Sequence, residues 1–125
     1  MVPEISVLAS APFRLSETPT ELDLLAKYFR GLGDPTRLRI LELLAAKGEI
    51  SAGEIVTGVG LPQATVSTHL GCLRWCGFVA TRRAQRSVLY RIADERVTAL
   101  VALAREVLQA NAEHVAACCT IDGGS

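Results

Sequence analysis

Two cysteines four residues apart, Cys72 and Cys76, and an adjacent pair near the end of the chain, Cys118 and Cys119, are the side chains best suited to chemistry in this sequence. Residues four apart on a helix have Cβ atoms ~5–6 Å apart on one face. Two sulfurs on a tetrahedral metal with bonds of ~2.3 Å need a separation of only about 3.8 Å, and side-chain rotation closes the difference. Two thiolates from one helix leave an ion short of ligands, so the distal cysteines are a source of the rest. Adjacency makes joint ligation of one ion by Cys118 and Cys119 awkward; Cys118, one turn beyond His114, is the preferred donor and Cys119 the less favoured one. Soft, all-sulfur sites suit Cd(II), Pb(II), Zn(II), Cu(I) or arsenite and exclude Mg(II) and Ca(II). Other roles stay open: small buried hydrophobes, a redox pair that oxidation would switch, or structural zinc. An enzyme built on a reactive cysteine is disfavoured, because the chain has two histidines and no base or oxyanion arrangement beside the thiols.

The elements that must position these sulfurs begin with a single core. A chain of 125 residues, half of them hydrophobic, is long enough for one domain and short for two. The aromatic share of 5% makes that core aliphatic, as packed helices require. The first sixteen residues hold Pro3 and Pro12, no basic stretch and no long apolar run, so no secretory signal is read there and a cytoplasmic location with free thiols is expected. No run is apolar enough for a membrane span. Residues 1–17 are expected to form a disordered tail, 18–117 the folded domain and 118–125 a cysteine-bearing tail.

Cap and stop signals divide the domain. Thr18-Pro19-Thr20-Glu21 reads as a capping box with proline at the first helical position, followed by Leu22, Leu25, Phe29 and Leu32 at helical spacing up to Gly31 or Gly33. Asp34-Pro35 opens a second helix with the stripe Leu38, Leu41, Leu44 and Ala45, stopped by Gly48. Ser51-Ala52-Gly53-Glu54 caps a short third helix, closed by Gly58 and Gly60, and Pro62 begins a fourth that runs to about Cys76. Short helix, glycine-containing turn and second helix outline a helix-turn-helix. Beyond Gly77 the pattern alternates, and two β-branched or aromatic runs flank Arg82-Arg83-Ala84-Gln85-Arg86-Ser87, a two-stranded hairpin with a basic tip. Asp94 caps a last helix of ~34 Å through Ala117. Its apolar stripe is longer than so small a domain needs, so a homodimer through the N- and C-terminal helices is expected. The fold class is mainly α with a small β-hairpin, a winged helix-turn-helix.

Net charge is zero, yet Ile55 to Ala93 contains no acid while holding Arg74, Arg82, Arg83, Arg86 and Arg91. Phosphate contact needs such a local concentration of arginine rather than a high overall charge; a solvated face is the plainer explanation of the charge alone. On a helical wheel, Val66, Leu70 and Leu73 of the fourth helix group as a core stripe. Ala64, Thr65, Ser67 and Thr68 lie away from it, with Gln63 and Arg74 nearby, as candidates to meet base edges and phosphates of double-stranded DNA. Arg82, Arg83 and Arg86 on the wing are candidates for the backbone or a minor groove. Cys72 and Cys76 fall on a flank, about 40° apart. His69 lies at the core edge, and Trp75 faces outward, where the wing or a second protomer must cover it.

Leu32-Gly33-Asp34-Pro35-Thr36-Arg37-Leu38-Arg39-Ile40-Leu41, then Leu61-Pro62-Gln63-Ala64-Thr65-Val66-Ser67-Thr68-His69-Leu70 and the arginine-rich hairpin, together resemble the ArsR/SmtB family of winged-helix repressors over roughly residues 20 to 117. The resemblance implies a homodimer that holds operator DNA when empty and releases it when a metal or metalloid binds. Two of the family's ligand patterns are missing: the third helix has no cysteine and the last helix has only His114. Cys72 and Cys76, within His-Leu-Gly-Cys-Leu-Arg-Trp-Cys-Gly, look like the pair of the CmtR-type cadmium and lead sensors, which take a third thiolate from the C-terminal region; Cys118 or Cys119 would serve. The resemblance thus implies Cd(II) or Pb(II) as effector, with arsenite or Zn(II) as further candidates.

Overall fold

The computed structural model describes residues 18–118 and 121. Among the described residues, five helices and three short strands follow in the order α1 (Glu21–Leu32), α2 (Pro35–Lys47), β1 (Ile50–Ser51), α3 (Ala52–Val59), α4 (Gln63–Trp75), β2 (Val79–Ala84), β3 (Ser87–Ile92) and α5 (Glu95–Ala117). None of these helices is long and apolar enough to cross a membrane. The expected tail 1–17 lies outside the described residues, as do Cys119 and most of 118–125.

Local chemistry explains most boundaries. Asp34 Oδ1 accepts from the N–H groups of Thr36 and Arg37 at 2.8 and 3.1 Å, with Pro35 at the first position of α2. Ser51 and Glu54 exchange hydrogen bonds at the start of α3, and Gly60 closes it at φ +77°. Asp94 caps α5 and its carboxylate receives the Arg96 fork, which holds its pKa down at about 2.

Several sequence expectations shift. The capping box of α1 uses Thr20 and Asp23, two residues later than Thr18 and Glu21, so Pro19 precedes the cap instead of opening the helix. Ala45 is exposed, and Ile40 joins Leu41 and Leu44 in the core in its place. The hairpin is part of a three-stranded antiparallel sheet in the order β1-β3-β2, because Ile50 and Ser51 pair with Tyr90 and Leu89. Its strands extend through the arginines, and the turn is only Gln85-Arg86, with Gln85 at φ +56°.

The core is formed by Ile40, Leu41, Leu44, Ile55, Val59, Val66, Leu70, Leu73, Phe78 and Val79, with Val97 from the start of α5. Phe78 is its hinge point. It is fully buried, its ring lies 4.5 Å from that of Tyr28, and a side chain added at Gly31 would meet it at 3.1 Å. Thus α1 docks on the turn that leaves α4. Beyond Val101, by contrast, α5 is exposed along its length, including Leu103, Val107, Leu108 and Val115, and so are Leu22, Leu25 and Phe29 on α1. A groove of about 350 Å³ between Phe29, Leu32, Leu38, Leu100, Ala104 and Leu108 joins these faces.

Phe78→Ala is expected to lower unfolding free energy by about 3–5 kcal/mol, the usual cost of emptying a buried aromatic site; chemical denaturation checks it, and a loss under 1 kcal/mol would contradict the role of this ring.

Candidate metal centre and nucleic-acid interface

Burial of Val66, Leu70 and Leu73 fixes how α4 is rotated. That rotation carries Cys72 and Cys76 to the junction of α1, α2 and α4, both partly buried and both reduced. Cys72 is near enough to Cys76 to disfavour its thiolate. Arg37, one turn into α2, donates from Nη1 to Cys72 Sγ at 3.3 Å and from Nη2 to the carbonyl oxygen of Arg30, near the end of α1, at 3.4 Å. Its Nε is buried without a partner. Cys76 reaches under α1: its sulfur lies 3.7 Å from where a side chain at Gly31 would begin. Burial and the neighbouring Cys72 push the Cys76 thiol up, and the positive charges of Arg37 and Lys27 offset this only in part. Cys76 also packs against the core as a small apolar group, one of the roles left open by the sequence.

One turn earlier on the same flank, His69 Nδ1 is buried without a hydrogen-bond partner and lies 3.9 Å from Asp34 Oδ1. Burial alone would raise the Asp34 carboxyl, but the Arg37 N–H, nearby His69 and the Thr36 N–H more than offset it, leaving it below the usual carboxylate range. Two polar contacts, His69 to Asp34 and Cys72 to Arg37, thus join the flank of α4 to the first turn of α2.

On the far side of α4, Gln63, Ala64, Thr65, Ser67, Thr68 and Arg74 are all exposed. Thr68 Oγ1 donates to the Ala64 carbonyl at 3.1 Å, leaving that hydroxyl oxygen as an acceptor. Pro62 stands at the N-cap and no side chain caps α4, so the first N–H groups of the helix point outward, a favourable place for an anion. Trp75 is 48% exposed among the described residues. On the wing, Arg83 and Arg86 are exposed, whereas Arg82 is engaged by Glu49 through Nε and Nη2 at 2.7–2.9 Å.

Residues 34–81 match the family described as "Bacterial regulatory protein, arsR family". A Streptomyces lividans protein named "Probable mercury resistance operon repressor" is 41% identical over 109 residues, 86% of each chain. The chain belongs to the ArsR family. It is thus a transcriptional regulator of that family. CmtR of Mycobacterium tuberculosis, also an HTH-type transcriptional regulator, is 42% identical over 73 residues, which span 58% of this chain and 61% of CmtR. Among solved structures, a homodimeric winged helix-turn-helix DNA-binding domain of Mycobacterium bovis superposes with a TM-score of 0.66 at 34% identity, over 79% of this chain and 91% of that one.

Within this ArsR-family fold the structure brings Cys72 and Cys76 together but leaves Cys118 apart, as the C-cap of α5 at the end of a helix whose second half is exposed among the described residues. Among the described residues, no group of three His, Cys, Asp or Glu side chains is assembled that could hold a metal ion. Arg37 and Glu49 were missed from the sequence. Each meets its partner across more than thirty residues, at 35 and 33 positions respectively, so local spacing carried no sign of either contact.

The raised pKa of Cys76 leaves less thiolate at a given pH than an unstructured cysteine has. Alkylation of Cys76 by iodoacetamide, followed by mass spectrometry, is expected to be slower than in the denatured chain at neutral pH and to rise at higher pH. Cys72→Ala removes one of the raising influences and is expected to quicken it; an unchanged rate in that variant would contradict the coupling.

Proposed function

We propose that this ArsR-family regulator is a repressor that binds operator DNA as a metal-free dimer and lets go when a thiophilic metal ion occupies Cys72 and Cys76. The observation that carries the reading is the position of this thiol pair: on the helix that presents Ala64, Thr65, Ser67 and Thr68, and in contact with α2 and α1 through Arg37. The donor set fits a soft ion, since two neighbouring sulfurs are present and, among the described residues, no carboxylate is grouped with them. Such an ion, when bound, would take both sulfurs as thiolates in place of their protons and draw them to its own bond distances. Arg37, which donates to Cys72 and to the Arg30 carbonyl, would pass that shift from α4 to α2 and the end of α1. A coupling of ~1–3 kcal/mol suffices to change DNA affinity about 5–150-fold.

Two ligand sets follow from the chemistry. Cd(II) or Pb(II), as in the resemblance to CmtR-type sensors, would take a third thiolate from Cys118, or from Cys119, of a second copy; arsenite or Zn(II) would use the same set. Hg(II) is satisfied by two thiolates, and the Streptomyces relative's name adds it as a candidate. The exposed apolar faces of α1 and α5, and the groove between them, support a homodimer through these helices. In that dimer Arg83 and Arg86 of each wing, Arg74 and the uncapped start of α4 meet phosphates, and Gln63, Ala64, Thr65, Ser67 and Thr68 meet base edges.

Cys72→Ser and Cys76→Ser are expected to keep operator affinity within about threefold while abolishing release by Cd(II), Pb(II) and Hg(II), read by fluorescence anisotropy alongside sulfur-to-metal absorption. Cys118→Ser and Cys119→Ser separate the three-thiolate ions, which should weaken, from Hg(II), which should not. Wild-type metal response in both helix variants would sink the proposal, and release by peroxide in metal-free buffer would instead favour a thiol redox sensor of the same fold. For the DNA face, Arg83→Ala or Arg86→Ala should weaken binding to all sequences alike. Each should flatten the plot of log affinity against log salt by about one unit per lost phosphate contact; an unchanged slope would remove that residue from the interface.

A further inference from the structure

Strand pairing sorts the wing arginines by face. Arg82 stands opposite Leu89, which pairs with Ser51, while Ala80 stands opposite Arg91. Side chains alternate along a strand, so Arg82 and Arg91 share one face and Arg83, opposite Val88, lies on the other. Glu49 immediately precedes β1 and occupies the face of Arg82 and Arg91. Both its carboxylate oxygens accept from Arg82, at 2.7–2.9 Å, and Oε2 also lies 4.0 Å from Arg91 Nη1. Side-chain exposure is 25% for Glu49 against 56% for Arg82, so the carboxylate is the better anchored partner. Neither Arg83 nor Arg86 meets a carboxylate among the described residues.

We propose that Glu49 is a built-in competitor of DNA phosphate: it occupies Arg82 and holds down the affinity of the wing for nucleic acid. Its carboxylate presents to Arg82 the same acidic, two-oxygen chemistry that a phosphate would. A guanidinium–carboxylate pair at contact distance has no net charge with which to displace counterions from DNA, and counterion release supplies most of the sequence-independent affinity. An exposed pair of this kind is weak enough to be tuned by one substitution. Arg91, on the neighbouring strand, helps keep the carboxylate from swinging away. Glu49 thus acts as a positioning residue for the DNA interface, setting which arginines are available: Arg83 and Arg86 at the end of the wing, and not Arg82 at its shoulder. This rests on the DNA-binding reading of the winged domain and is independent of any metal.

The test is the salt dependence of binding to a labelled, mixed-sequence duplex, which needs no knowledge of the operator. Glu49→Gln keeps an oxygen for Arg82 but removes the charge. It is expected to bind on the order of tenfold more tightly at physiological salt, with the slope of log affinity against log salt steeper by about two units per dimer. The double variant with Arg82→Gln should lose that gain. In the wild-type background Arg82→Gln should flatten the slope far less than Arg83→Gln does, a comparison that decides the matter even where Glu49→Gln misfolds. Equal or weaker binding by a folded Glu49→Gln, or an equal effect of the two single arginine variants, overturns the proposal. A wild-type protein that ignores DNA at every salt concentration overturns the DNA-binding reading itself and this proposal with it.

Discussion

The rotation of α4 about its own axis is the constraint on which the rest of the molecule depends. Three residues, Val66, Leu70 and Leu73, are buried in the core, and once they are there no other side chain of the helix has freedom of direction. The small and polar residues at its start must face outward, and Cys72 and Cys76 must fall at the seam with α1 and α2. Turning the helix enough to move either set would drag apolar side chains into water, at about 1.5–3 kcal/mol for each that becomes exposed. A molecule built this way cannot adjust the outer face of α4 without disturbing the sulfurs, nor the sulfurs without disturbing that face.

Much of this was legible in the sequence, because the signals are local. Asp34-Pro35, the Ser51 to Glu54 box, Gly60 and the apolar spacing on α4 each need only a turn or two of chain to have their effect, and each stands where it was read. What was not legible has two physical causes. Some elements are too short for a pattern: β1 has two residues, so alternation has no room to show, and a box at Thr18 looks as good as one at Thr20 until the backbone chooses. Other features are contacts between distant segments. Nothing near Cys72 announces Arg37, and nothing near Arg82 announces Glu49; only packing brings them together.

The same distinction applies to exposed residues. Leu22, Leu25 and Phe29 repeat with helical spacing on a helix expected, with the last one, to meet a second copy; in the single chain all three are exposed, as is the second half of α5. The periodicity was read correctly as one apolar face. What a periodic pattern does not carry is the identity of the surface that covers it, and here the chain's own core is already complete without these residues. The distal cysteine at the end of α5 shares that condition, since its surroundings depend on what that helix rests against.

The two-residue strand has a mechanical consequence. Ser51 pairs with Leu89 in the sheet and, with the same residue, supplies the hydroxyl that caps α3. The wing and α3, the helix preceding α4, are therefore joined at one point with no slack between them. A wing that tilts to follow a groove must either carry α3 with it or uncap that helix. The winged domain consequently meets a curved or straight surface as one stiff body, and any adaptation is left to the partner or to the angle between two such bodies.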